Sequence, residues 1–197
     1  MFTHRISAIA VVALLAVLPL GAQQASSRNV IVSGHGGGFT ALANLDAAGS
    51  RDFRTGYAVG GGLGLQVSKY IVLRSDFTYA RDEFRTNGVR TGEYLKRYYY
   101  GGAVQLQHPF AGGFTPYVLA GGGGVTLKQI NLSSETKAQG TLGAGFSYAI
   151  PGSALSLFSE GRGYVYKPTD FGGSLVGVTK NQFDLAWTGG VSYRFHY

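Results

Sequence analysis

From Gln182 to Tyr197 the side chains alternate without interruption. Phe183, Leu185, Trp187, Gly189, Val191, Tyr193, Phe195 and Tyr197 occupy one parity, and Gln182, Asp184, Ala186, Thr188, Gly190, Ser192, Arg194 and His196 the other. A period of two sends alternate residues to opposite faces of an extended strand, whereas a helix would repeat its apolar positions at three and four. One face of this segment is apolar and the other polar, so it reads as a strand lying between two unlike environments.

The same division recurs upstream. It separates Leu142, Phe146 and Tyr148 from Thr141 and Ser147 between Thr136 and Ile150, and Ile71, Leu73, Phe77 and Tyr79 from Arg74, Asp76 and Thr78 between Tyr70 and Asp82. Between Arg97 and His108 it separates Tyr98, Tyr100, Val104 and Leu106 from Arg97, Gln105 and Gln107. Gly56 to Val67, Thr115 to Lys128 and Ala154 to Tyr166 are further strands with mixed parity; in the last, Phe158, Tyr164 and Tyr166 share a side with Glu160 and Arg162. A first strand falls within Asn29 to Ala43, where Gly36-Gly37-Gly38 leaves its faces unassigned. Eight strands are predicted.

The connections alternate in length. Ser68-Lys69, Pro109 to Gly113 and Pro151-Gly152-Ser153 are short turns, while Asn44 to Arg54, Glu83 to Gly92, Gln129 to Glu135 and Lys167 to Asn181 are longer. Short turns on one side, long loops on the other and an even strand count are the pattern of a bacterial outer-membrane barrel.

The alternation alone does not say which face points inward. A soluble barrel packs its large apolar groups inside. Here the polar parity is rich in Gly, Ala, Ser, Thr and Gln, which fit a narrow eight-strand interior, and the Phe, Leu, Trp and Tyr parity would overfill it. Aromatics also gather near strand ends, at Tyr98 to Tyr100, Tyr117, Tyr148, Tyr193, Phe195 and Tyr197, as membrane-interface girdles do. The large groups are therefore expected to face lipid. A β chain crosses hydrocarbon only as a closed barrel, because every backbone amide needs a partner there.

The N-terminal stretch fits this destination. Arg5 precedes the apolar run Ile6 to Leu20, followed by the small residues Gly21-Ala22, which predicts a cleaved signal peptide over residues 1–22 and a barrel over 23–197. Cysteine is absent, so neither disulfides nor thiolate metal sites enter the argument. Glycine at 32 residues, with 13 tyrosines and 12 phenylalanines, supports β structure, and five prolines exclude a collagen-like or proline-rich chain. The formal charge of +7 makes lipopolysaccharide phosphates a plausible partner, and export argues against nucleic acid.

The segment Val191-Ser192-Tyr193-Arg194-Phe195-His196-Tyr197, alternating and ending on an aromatic, resembles the terminal strand of the small OmpA/OmpX-type outer-membrane barrels. Thr115-Pro116-Tyr117-Val118 followed by glycines, Leu73-Arg74-Ser75-Asp76-Phe77 and Phe158-Ser159-Glu160-Gly161-Arg162 extend the resemblance over the whole mature chain. It implies an all-β, eight-stranded antiparallel up-and-down transmembrane β-barrel in the outer membrane. It also implies that Val191, Tyr193, Phe195 and Tyr197 are an assembly signal read by the barrel-assembly machinery. The peptidoglycan-binding domain of longer members is not expected, so cell-wall anchoring is not inherited.

Candidate functional residues follow from parity. Arg74, Asp76, Glu160, Arg162, Asp184 and Arg194 lie on polar faces and are expected to form an ion-pair network in the lumen, because an unpaired buried charge is costly. Such a network fits either a plug or a selective pore. Arg51, Arg54, Arg81, Arg85 and Arg90 are expected in the long loops as a basic extracellular rim suited to anionic polymers or lipopolysaccharide. After signal cleavage His35, His108 and His196 remain, without a metal-ligand spacing, and Ser33 beside His35 is the one local hint of a hydrolase acting on lipid A. Gly36–Gly38, Gly60–Gly62 and Gly121–Gly124 lack the Lys and helix of a phosphate loop and read as strand glycines; the Asn131-Leu132-Ser133 sequon reads as chance. The expectation is a monomeric structural, adhesion or surface-binding barrel without cofactor or catalysis, with a narrow solute pore and a lipid-A hydrolase as alternatives.

Overall fold

The computed structural model describes residues 29–42, 51–86, 89–129, 134–167 and 181–196. The expected signal peptide, residues 1–22, lies outside these residues, as does Tyr197. Eight strands follow one another: β1 Asn29–Ala41, β2 Arg51–Gln66, β3 Ile71–Thr86, β4 Val89–Gln107, β5 Phe114–Gln129, β6 Glu135–Ala149, β7 Leu155–Tyr166 and β8 Gln182–His196. Each pairs antiparallel with its neighbour in sequence, and β1 pairs with β8 to close the barrel. Every strand thus has two partners, the condition for crossing hydrocarbon.

Closure assigns the faces of β1. Asn29, Ile31, Ser33, His35, Gly37, Phe39 and Ala41 turn inward, in register with Ser192 and Thr188 of β8, and Phe39 is fully buried. The glycines that interrupt this strand's pattern remain within its ladder. On β2, Gly60 and Gly62 face the lumen beside His35 and Asp76, and a side chain at either would occupy the space those two groups fill. The short connections fall where expected, with Gly112, Gly113 and Gly152 in left-handed conformations at the β4–β5 and β6–β7 turns.

Two expectations change, the first of them at the opposite end. The basic residues read as loops lie in strands: Arg51 and Arg54 in β2, Arg81 and Arg85 in β3, Arg90 in β4. β3 runs to Thr86 and β4 resumes at Val89, leaving only Asn87-Gly88 between them. Asn-Gly between two strands is the strongest short hairpin signal, and it outweighs the local charge density that suggests a loop. The second change concerns Tyr117, expected in a girdle: it is buried and faces inward.

Candidate functional site

The lumen is occupied by two layers of polar side chains. In the lower one, Arg74 of β3 donates from Nη1 to Glu160 Oε2 of β7 at 2.7 Å and from Nη2 to Asp76 Oδ1 at 2.8 Å. Arg162 of β7 donates from Nε to Glu160 Oε1 at 2.8 Å and approaches Asp76 Oδ2 at 3.4 Å. Two cations and two carboxylates form a closed ring of charge. Tyr117 donates its hydroxyl to Glu160 at 3.0 Å, Arg74 also reaches Gln105 Oε1 at 3.1 Å, and His35 Nε2 lies 3.1 Å from Thr78 Oγ1.

The upper layer lies about 15 Å further along the axis, from the six-residue step between Asp76 and Asp82 on one tilted strand. Arg97 of β4 pairs with Asp82 of β3 at 2.5 Å and with Asp184 of β8 at 3.4 Å. Tyr166 donates to Asp184 at 2.9 Å, and Tyr99 donates to the same oxygen. One cation thus faces two carboxylates, and two phenol hydroxyls supply the missing donors. The Arg97 guanidinium also covers the Phe39 ring at 5.2 Å, and Tyr99 stacks on Tyr164 at 4.1 Å. These aromatics explain the mixed parity of β7: the upper lumen accepts large rings where they hold a buried ion pair.

Of the six residues assigned to the network by parity, the structure brings Arg74, Asp76, Glu160 and Arg162 together. Asp184 belongs to the second layer instead. Arg194 lines a cavity of about 60 Å³ at the end of the short turns, with Arg74, Gln105, Gln107, Ser156 and Ser192. Arg97 and Asp82 are not among the six, although both occupy polar parities of their strands: each stands at the upper end of its predicted strand, where parity alone does not distinguish a lumen position from a loop position.

Ser33 and His35 both face the lumen and take separate partners, Ser33 donating to the Gly62 carbonyl at 3.3 Å. They do not form a nucleophile–base pair. Among the described residues no group of three His, Cys, Asp or Glu side chains is placed to hold a metal ion.

The outer face carries the large apolar groups. Trp187 is 62% exposed and Leu142 69%, and Val191, Tyr193 and Phe195 of the terminal strand point outward beside them. Rings cluster at both ends of the wall. Tyr70, His108, Phe110, Phe114 and Phe146 form a chain of contacts near the short turns, and Tyr57, Tyr79 and Tyr98 another near the long connections. Arg81, above this second girdle, lies over the Tyr94 ring at 3.9 Å. For Arg51, Arg54, Arg85 and Arg90 the structure describes strand position only.

A closed barrel with apolar groups outside between two aromatic girdles and ionic groups within is an integral membrane β-barrel. The sequence matches the model of the outer membrane protein beta-barrel domain over residues 10–195, and the chain belongs to that family; it is a protein of the outer membrane. The fold is similar to that of Neisserial surface protein A (NspA), with 16% identity over 85% of this chain and 97% of that one and a TM-score of 0.59. It is also similar to Ail, the attachment invasion locus protein of Yersinia pestis, solved with the heparin analogue sucrose octasulfate (15% identity, 86% and 99% covered, TM-score 0.51). A third is the outer membrane protein OprG from Pseudomonas aeruginosa (14% identity, 87% and 97% covered, TM-score 0.52). Nothing among curated proteins matches the sequence.

Proposed function

We propose that the protein is a monomeric structural and surface-binding barrel, without catalysis or cofactor, whose wall holds a basic extracellular rim in place. The observation that supports this reading is the filling of the lumen. Side chains from strands four apart, on opposite sides of an eight-strand barrel, meet in the centre at two levels, Arg74 with Glu160 and Arg97 with Asp184. Beside the lower layer a second cavity measures about 10 Å³, scarcely room for one water. Solute passage through such an interior requires breaking buried ion pairs.

The rim residues Arg51, Arg54, Arg85 and Arg90 sit at the ends of β2, β3 and β4, beyond the girdle. Arginine forks suit sulfate and phosphate groups, so an anionic polysaccharide or lipopolysaccharide is the ligand class. Outer-membrane lipid surrounds the wall, and the barrel-assembly machinery would act on Val191, Tyr193, Phe195 and Tyr197. The test is binding of cells carrying the protein to immobilised heparin. Replacing Arg85 and Arg90 by Gln should abolish the gain over cells lacking the protein; unchanged binding would remove the rim from the function. The polar cavity near the periplasmic end is the feature that favours a narrow pore instead, and steady single-channel steps in a planar bilayer would establish that reading.

A further inference from the structure

Three cations stand side by side on the lipid-facing wall. Arg81 of β3 is in register with Lys96 of β4, and Lys96 with Lys128 of β5, all on the outward parity of their strands. Like charges directly opposite across a ladder repel. Among the described residues no ion pair joins a carboxylate to any of the three. The Arg81 Nε is buried without a hydrogen-bond partner. A row that repels itself and has no counter-charge among the described residues is suited to an anion from outside the chain.

Its height says which anion. Arg81 stands ten residues above Ile71, the outward residue at the base of β3. That is about 33 Å along the strand and about 25 Å along the axis at a tilt near 40°, the height of a barrel's apolar band. The contiguous rings of Tyr57, Tyr79 and Tyr98, 6.1 and 5.3 Å apart, lie at and just below that level. The row therefore stands at the outer headgroup boundary, climbing slightly from Arg81 to Lys128 as tilted strands require. It is also one-sided: near the same end β6, β8 and β1 present Ala138, Phe183 and Thr40 outward.

We propose that Arg81, Lys96 and Lys128 form a docking site for the phosphorylated headgroup of lipid A, the membrane anchor of lipopolysaccharide. Its acyl chains run down the wall past Tyr98 and Tyr100. Arg81, held over Tyr94, presents its remaining donors to one phosphate, and the two lysines neutralise the rest of the headgroup as mobile point charges. The site uses the barrel's outer wall rather than its extracellular end. It rests on the outer-membrane orientation, so it stands or falls separately from what the rim arginines bind.

The test titrates the refolded barrel in detergent with diphosphoryl lipid A and reads the bound fraction by native mass spectrometry. Replacing Arg81, Lys96 and Lys128 by Gln should raise Kd by roughly fivefold for each charge removed. Lys69→Gln, at a short turn, should leave it unchanged. Lipid A stripped of both phosphates should bind the wild type no better than the triple variant. Heat-dependent gel mobility checks that each variant folds, and the three single substitutions give the same reading if the triple variant does not. Wild-type affinity in folded row variants, an equal loss in Lys69→Gln, or full displacement of lipid by millimolar inorganic phosphate would each overturn the proposal.

Discussion

Arg74 on β3 and Glu160 on β7 stand on opposite walls of the barrel, yet their side chains meet at 2.7 Å in its centre. The bridge ties together strands 86 residues apart in sequence that share no backbone hydrogen bonds. Arg97 and Asp184 do the same for β4 and β8 one layer above. The backbone ladder fixes the wall, and these crossbars fix its cross-section. Removing either residue of a crossbar costs the other a charged partner in a water-poor interior and leaves its layer's charges unbalanced.

Glu160 is the residue whose removal strands the most. It accepts from Arg74, Arg162 and Tyr117 and is 3% exposed. Glu160→Ala leaves two guanidinium groups facing each other with Asp76 alone between them, and should lower unfolding free energy by about 3–5 kcal/mol. Glu160→Gln, which keeps an acceptor oxygen, should lose less. Urea titration of the barrel refolded in lipid vesicles, followed by tryptophan emission, measures both.

Two layers in series make a specific statement about conduction. Arg74→Ala opens the lower crossbar and leaves Arg97, Tyr99 and Asp184 across the lumen; Arg97→Ala opens the upper one and leaves the ring around Glu160. In planar bilayers the wild type and each single variant should be silent, with steps emerging only when Arg74→Ala and Arg97→Ala are combined. Conductance in either single variant would mean that one layer alone is the barrier.

Much of this wall was legible from alternation, because each strand separates lipid from a polar interior. The turns were legible from Pro109, Gly112, Gly113, Pro151 and Gly152, whose backbone constraints are local. What alternation does not carry is height. Asp76 and Asp82 share a parity, and nothing local says that one joins Arg162 and the other Arg97; the register with β4 decides it. Nor does parity separate an aromatic that faces lipid from one that shields an ion pair, so Tyr99, Tyr164 and Tyr166 emerge only once β4, β7 and β8 are placed. The charged tip of β3 and β4 misled because strands continue beyond the membrane, where polar side chains are stable on either face.

The glycines of β2 yield a test with an internal control. A Cβ at Gly62 would sit 2.5 Å from Asp76 Oδ1, pushing the carboxylate away from both arginines, whereas at Gly34 on the outward face it meets nothing within 4 Å. Gly62→Ala should destabilise by about 1–3 kcal/mol through overpacking. Gly34→Ala should be neutral or gain about 0.4–1 kcal/mol from the stiffer unfolded chain. Chemical denaturation of the two variants side by side checks the difference, and equal effects would show that the lumen at Gly62 has room to spare.

Leu142 decides between water and lipid outside the wall. It is 69% exposed and sits seven residues above Ala149, the end of β6, which places it about 18 Å up a band some 25 Å tall. On a soluble barrel a leucine so exposed is replaceable by arginine at almost no cost, since the longer side chain extends into solvent. In a bilayer the same change sets a charge in hydrocarbon, and Leu142→Arg should lower stability by up to about 2–4 kcal/mol. The penalty should shrink for Leu106→Arg, which lies on the outward face at the foot of β4 near the opposite interface. Vesicle-based unfolding of both variants gives the comparison, and a cost that does not depend on depth would mean that the apolar wall is packed against something other than lipid.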